Sequence, residues 1–299
     1  MKARDFLGPY RLARLIRIGN SCSVWEAIKS GDDQRYALKV LRTDQIGNKD
    51  EEGFLKHEFD VSRGFKHPGV IKIYELRNDA SVPYLVLELF SEHNMKQALR
   101  QGPEKLAFYA KGIIEQTAEA LYHVNSTGWV HCDIKPDNIL VSRTGEVKLI
   151  DFTIAQKMKK GLAKLFNFGS KNVRGTRSYM SPEQIRNKPL DQRADVYSFG
   201  CVMFELLSGK VPFTASSPNE LLEKHLRAPI PSIQVHNANV SDEVSMLIRA
   251  CMAKKPEDRP ETMWELVRQF RTHRLFKKAP KKIDHLDLPE VAVNEEDDG

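Results

Sequence analysis

The sequence predicts an α+β protein of two parts in series, a small antiparallel β-rich lobe carrying one helix and then a larger helical lobe. Three observations lead there. Short runs rich in β-branched and aromatic residues fill the first third of the chain. After about residue 90 the apolar period becomes helical. A chain of 299 residues, 41% hydrophobic and 29% charged, is long enough to bury one large or two small cores, which excludes a disulfide-stapled miniprotein and a disordered chain.

In chain order, Tyr10 to Ile18, Val24 to Lys29, Arg35 to Leu41, Ile71 to Leu76 and Tyr84 to Leu89 have the composition of strands. Asp50 to Arg63 interrupts them as a helix, with Phe54, Glu58 and Val61 on one face and Gly64 as a stop before His67-Pro68. An ionised group among apolar neighbours needs a partner, so Glu58 calls for a cation from another element. Glu104 to Thr127, closed by Gly128, reads as one long helix, and Asp195 to Ser208, closed by Gly209, as another. Within the latter, Val196 to Leu207 is almost unbroken apolar sequence, 12 residues long. A bilayer span needs about 20, so the stretch predicts a deeply buried helix and no membrane span. Ile139 to Val141 and Val147 to Ile150, split by Thr144-Gly145, predict a small hairpin. Residues 277–299 hold paired lysines and then Glu295-Glu296-Asp297-Asp298, a charged tail expected to be disordered.

Met1 to Asp5 leads into no apolar leader and position 2 is not glycine, so the protein is read as cytoplasmic. Cys22, Cys132, Cys201 and Cys251 are widely spaced, without a Cys-x-x-Cys or histidine cluster, so reduced thiols are expected and a zinc site is not. The net charge of +6 comes from 46 Lys and Arg against 40 Asp and Glu. It is concentrated: Lys157, Lys159, Lys160, Lys164, Lys171, Arg174 and Arg177 lie between Phe152 and Pro182, where there is no acid. A local basic loop is thereby predicted, with no nucleic-acid partner; any part it takes in recognition would favour acidic sequence.

The densest chemical signal is His131-Cys132-Asp133-Ile134-Lys135-Pro136-Asp137-Asn138, followed by Asp151-Phe152-Thr153. Carboxylate, ammonium and amide in one loop, with a second carboxylate close behind, are what phosphoryl transfer requires. Together with Tyr36-Ala37-Leu38-Lys39 and Ser181-Pro182-Glu183, these residues resemble the eukaryotic-type protein kinase family, in its bacterial-like serine/threonine branch. The resemblance implies a bilobal kinase-like fold over residues 10–276, with an N-lobe of about 10–87, a hinge at 88–90 and a C-lobe of about 91–276. It also implies ATP, Mg²⁺ and protein substrates; because no span accompanies the catalytic domain, regulation is expected from a soluble partner or from the chain's own loops.

Residue by residue, Lys39 matches the lysine that contacts the α- and β-phosphates and Glu58 the helix glutamate that pairs with it. Asp133 matches the catalytic aspartate, Lys135 the lysine that reaches the γ-phosphate, and Asn138 and Asp151 the metal ligands. Ile16, Gly19, Val24, Ala37 and Leu140 are expected around the nucleotide, with Leu87 as gatekeeper and Glu88 to Phe90 as the hinge that bonds adenine. Glu183 is expected to pair with Arg259, and Asp195 and Gly200 match the buried helix that anchors the catalytic loop.

Four departures accompany these matches. Arg17, Gly19 and Cys22 stand where the family has three phosphate-loop glycines, so the cradle is expected to be loose. Thr153 replaces a glycine, Cys132 an arginine and Ser181 an alanine, the last read as inconsequential. Two function classes stay open: an active serine/threonine kinase whose Cys132 suggests independence from activation-loop phosphorylation, and a pseudokinase acting as a nucleotide-binding or scaffolding module.

Overall fold

A computed structural model describes residues 6–31, 33–158 and 176–282. Its contacts divide the described residues into two compact units, the first running up to Phe65 and resuming over Ile71–Ser91, the second formed by Lys66–Val70 and the described residues from Glu92 onward.

In the first unit, strands β1 (Phe6–Leu7), β2 (Tyr10–Ile18), β3 (Cys22–Lys29), β4 (Arg35–Leu41), β5 (Ile73–Asp79) and β6 (Val82–Glu88) form one antiparallel sheet in the order β1-β2-β3-β4-β6-β5. Because side chains alternate across a strand, the register assigns each face. Ala27, Leu38, Val40, Tyr84 and Val86 pack with Leu7 and Tyr10 in the core on one face. Tyr10 meets the Tyr36 and Tyr84 rings edge-on, at centroid distances of 5.6 and 6.3 Å, geometry that aromatic pairs favour. The other face carries Val24 opposite Lys39, Ala37 opposite Leu87, and Lys39 opposite Leu85. Helix α1 (Lys49–Ser62) starts at Asn48, whose side chain accepts from the Asp50 N–H, with Asp50, Glu51 and Glu52 in its first turn. Its buried face is Leu55, Glu58, Val61 and Ser62; Leu55, and not the expected Phe54, is the fully covered aromatic or aliphatic side chain of the early turn.

The second unit is helical: α2 (Met95–Arg100), α3 (Pro103–Ala107), α4 (Ala110–Ser126), α5 (Pro182–Ile185), α6 (Gln192–Ser208), α7 (Pro218–Arg227), α8 (Asp242–Cys251) and α9 (Met263–Thr272). The single helix expected over Glu104 to Thr127 is in fact α3 and α4, broken at Phe108-Tyr109. Tyr109 packs so tightly on the Gly145 turn that a Cβ there would lie 2.9 Å from its ring, and this contact overrides the continuous periodicity. From Ala194 to Leu207 helix α6 is buried on every side, as its apolar run predicts. Gly200 lets α8 approach, since a Cβ would sit 2.9 Å from Cys251 Cβ and Met252 Cγ, and Gly209 ends α6 at φ 71°. The hairpin is β8 (Ile139–Val141) with β9 (Val147–Leu149), and a further pair joins β7 (Trp129–Val130) to β10 (Gln156–Lys157). Lys277 and Lys278, at the start of the expected tail, are held by Asn239 through backbone and side-chain hydrogen bonds. The rest of that tail from residue 283, and Lys159, Lys160, Lys164, Lys171 and Arg174 of the basic segment, lie outside the described residues. No helix among the described residues is long and apolar enough to cross a membrane.

Candidate active site

In the first unit, Lys39 on β4 donates to Glu58 Oε2 on α1 at 2.6 Å. The Glu58 side chain is 2% exposed and that of Lys39 19%, so the cation demanded by the buried carboxylate comes from the neighbouring strand. On the same sheet face are half-buried Val24 and buried Ala37 and Leu87. Ile16 is the extra residue at a register shift between β2 and β3, a bulge that re-aims the strand. Glu88 closes β6, its N–H donating to the Lys72 carbonyl, and Leu89 and Phe90 continue beyond the strand. At the β2–β3 turn the Gly19 N–H donates to the Cys22 carbonyl at 2.8 Å and the Gly19 carbonyl accepts from Arg42.

In the second unit, the loop between β7 and β8 is anchored from below by Asp195 of α6. Its Oδ2 accepts from the His131 N–H at 2.9 Å and Asn125 Nδ2 at 2.8 Å, and its Oδ1 from the Cys132 N–H at 3.0 Å. Burial nevertheless pushes the Asp195 carboxyl above its ordinary value, the donors acting in the opposite direction. His131 accepts the Asp133 N–H on Nδ1, which leaves Nε2–H to donate to the Ile150 carbonyl at 3.1 Å. Its ring lies 4.9 Å from that of the wholly buried Phe152.

The loop then gathers its functional groups around Asp133. Asp133 Oδ2 lies 3.0 Å from Lys135 Nζ and accepts from Asn138 Nδ2 at 3.0 Å, while Oδ1 faces the Thr176 N–H at 3.4 Å. Asn138 Nδ2 also donates to the Asp133 carbonyl, which fixes the amide orientation. Its Oδ1 is consequently a buried acceptor with no hydrogen-bond partner. Asp151, at φ 68°, accepts the Thr153 hydroxyl on Oδ1 at 2.5 Å. Leu140 is half-buried on β8 beside this loop, bridging to Asn94.

A model of the protein kinase domain matches residues 10–276. The chain belongs to the protein kinase family. It is 31% identical to the serine/threonine-protein kinase PrkC of Bacillus subtilis over 265 residues, 89% of this chain and 40% of that protein. Against the serine/threonine-protein kinase PknA of Mycobacterium tuberculosis the identity is 32%, covering 83% of this chain and 57% of that one. For the probable serine/threonine-protein kinase PknB of Corynebacterium glutamicum it is 30%, covering 86% and 41%. The chain thus spans about two-fifths to three-fifths of the length of these bacterial kinases.

Within this kinase domain, the departures acquire surroundings. Cys132 lies at φ 68° in an apolar cluster with Val130, Ala194, Ile154, Met158 and Leu190, and burial drives its thiol well above the ordinary range. A thiol held protonated is a poor nucleophile. Ser181, read from sequence as inconsequential, is wholly buried and caps α5 through a reciprocal box with Gln184. Gln184 in turn donates to the Cys132 carbonyl at 2.8 Å, a contact that no linear motif signals. Glu183 and Arg259 pair at 2.6 and 2.9 Å in full burial.

Proposed function

We propose that this chain is a serine/threonine protein kinase that transfers the γ-phosphate of ATP to protein hydroxyls. The observation that carries the reading is the Asp133–Lys135–Asn138 arrangement with its unpartnered, buried Asn138 Oδ1. A lone oxygen acceptor near the Asp151 carboxylate in sequence suits a hard cation, so Asn138 and Asp151 would hold Mg²⁺. Among the described residues no group of three His, Cys, Asp or Glu is placed to cage a metal, which suits a cation completed by phosphate oxygens and water. When bound, Mg²⁺ neutralises charge on those oxygens.

The chain's own groups then divide the work. Asp133 orients the acceptor hydroxyl and takes its proton as that oxygen bonds to the γ-phosphorus and the bond to the β–γ bridging oxygen breaks. Lys135 offsets charge on the moving phosphoryl group. Lys39, held by Glu58, is assigned to the α- and β-phosphates; the family resemblance gives the base contacts of the first unit to Val24, Ala37, Ile16 and the 88–90 backbone, and that of the second unit to Leu140. Gly19 contributes to the phosphate cover, weakly, because its N–H already serves the Cys22 carbonyl. The substrate is a protein segment, with acidic residues favoured near the acceptor by the sevenfold positive segment between Phe152 and Pro182.

The test is transfer from labelled ATP with Mg²⁺ to Ser/Thr peptides carrying acidic, neutral or basic flanks. Asp133→Asn should lower the rate by about 10²–10⁴-fold, the usual worth of a positioned base, and Lys39→Met should act in the same direction. Acidic flanks should be preferred, less so as salt rises. A wild-type rate equal to that of Asp133→Asn, with ATP still bound, would instead identify a pseudokinase.

A further inference from the structure

We propose that Gln184 is a positioning residue that clamps the peptide preceding Asp133, an inference that rests on the kinase reading above. Cys132 sits at φ 68°, in the left-handed region that a non-glycine residue enters only at a cost in free energy. Such a conformation persists only where its surroundings over-determine it. The N–H side of Cys132 is held by Asp195 Oδ1 at 3.0 Å, and its carbonyl, which begins the peptide leading into Asp133, by Gln184 Nε2 at 2.8 Å. The residue is therefore gripped on both sides by groups from two different elements.

The amide of Gln184 can point only one way. Its Oε1 meets two donors, the Ser181 N–H at 3.0 Å and the Ser181 hydroxyl at 2.9 Å. An N–H cannot accept, so the oxygen must face Ser181 and the NH₂ must face Cys132. Ser181, wholly buried, receives the Gln184 N–H on the same hydroxyl at 3.4 Å. A chain of hydrogen bonds thus runs from the cap of α5 through Gln184 to the residue before Asp133. It gives Ser181 a task that alanine could fulfil only in part, through the backbone N–H. Turnover depends on the placement of Asp133 to fractions of an ångström, so loosening this peptide should fall on kcat, with ATP binding left to other groups.

Two measurements test the clamp. In steady-state transfer, Gln184→Met keeps the length of the side chain and removes its donor and acceptor; kcat should fall about tenfold, with the KM for ATP within about twofold. Ser181→Ala should give a smaller loss, and adding it to Gln184→Met should cost nothing more, since Ser181 acts through the amide. Unchanged kcat, a rise confined to KM, or additive losses would overturn the proposal.

The second measurement is independent of activity. In the folded protein, alkylation of Cys132 requires the loop to open, whereas the buried Cys201 and Cys251 report opening of the α6–α8 core in the same molecule. Gln184→Met should accelerate trapping of Cys132 several-fold and leave Cys201 and Cys251 at their wild-type rates. Parallel acceleration of all three, or none, would overturn the clamp. Wild-type turnover no greater than that of Asp133→Asn would refute the kinase reading, while the trapping rates still decide whether Gln184 holds the loop.

Discussion

At Thr153 the hydroxyl donates to Asp151 Oδ1 at 2.5 Å and the backbone N–H faces the same oxygen at 3.4 Å, a side-chain turn that glycine could form only by its N–H. The branched Cβ also restricts the backbone, so two effects oppose reversal of the Asp151-Phe152 segment. An inhibitor that requires the reversed arrangement should bind Thr153→Gly more tightly than wild type by about fivefold or more, corresponding to about 1 kcal/mol. Thr153→Ser, which keeps the hydroxyl and removes the branch, should fall between; equal affinities by calorimetry for all three would refute the argument. At this scale the legible residues were those whose chemistry demanded something. Glu58 on an apolar helix face required a cation, and Lys39 supplies it. Gln184 demanded nothing in sequence, because a half-exposed glutamine is satisfied by water; only the tertiary approach of α5 to Cys132 gives it a partner.

Helix α5 is tied to the segment before α9 by Glu183 and Arg259. All five guanidinium N–H groups have acceptors: both Glu183 oxygens and the carbonyls of Ala253, Arg193 and Lys254. With the Arg259 side chain fully buried, removing either partner leaves an uncompensated charge, which costs about 3–5 kcal/mol. Arg259→Met, which also deletes the charge on that side, should destabilise by at least this order in urea unfolding, because Glu183 stays buried; the double variant with Glu183→Gln should recover part of the loss. A double variant no more stable than Arg259→Met alone would show that the pair is not the cause. Elements such as α1 and α6 were legible because their period and their caps agree. The α3–α4 break was not, because Leu106, Ala110, Ile113 and Ile114 keep a helical spacing across it and the interruption comes from Tyr109 packing on the distant Gly145 turn. Strand β10 was equally hidden: two exposed residues, Gln156 and Lys157, are strand only because β7 lies beside them.

For the molecule as a whole, the two-part α+β order was readable because the period-2 runs and the 3.6-residue runs separate near residue 90, so the composition of each unit follows from its own stretch of chain. Control of the assembled kinase is a different matter, and it turns on Cys132. In kinases that carry arginine at this place, the cation belongs to a basic pocket that a phosphate on the activation segment neutralises, ordering that segment. Here Cys132 is buried among Val130, Ala194, Ile154, Met158 and Leu190, and burial keeps its thiol protonated. No charge at this position needs neutralising, so the electrostatic requirement for a phosphate should be reduced. Phosphatase-treated enzyme, confirmed by mass spectrometry to be unmodified from Thr153 to Ser181, should therefore show a linear initial rate from the first turnover. The rate should be modest, because Gly19 alone represents the phosphate-loop glycines and its N–H is engaged. Pre-incubation with ATP should leave the rate unchanged within about twofold, far below the effect of ordering a segment by new charge-assisted hydrogen bonds. A lag that pre-incubation abolishes would show that a phosphate is needed despite Cys132. So would a Ser170→Ala Ser178→Ala double variant that folds and binds ATP but transfers nothing, and the cation answering that phosphate would then have to come from the lysines and arginines of the basic segment itself.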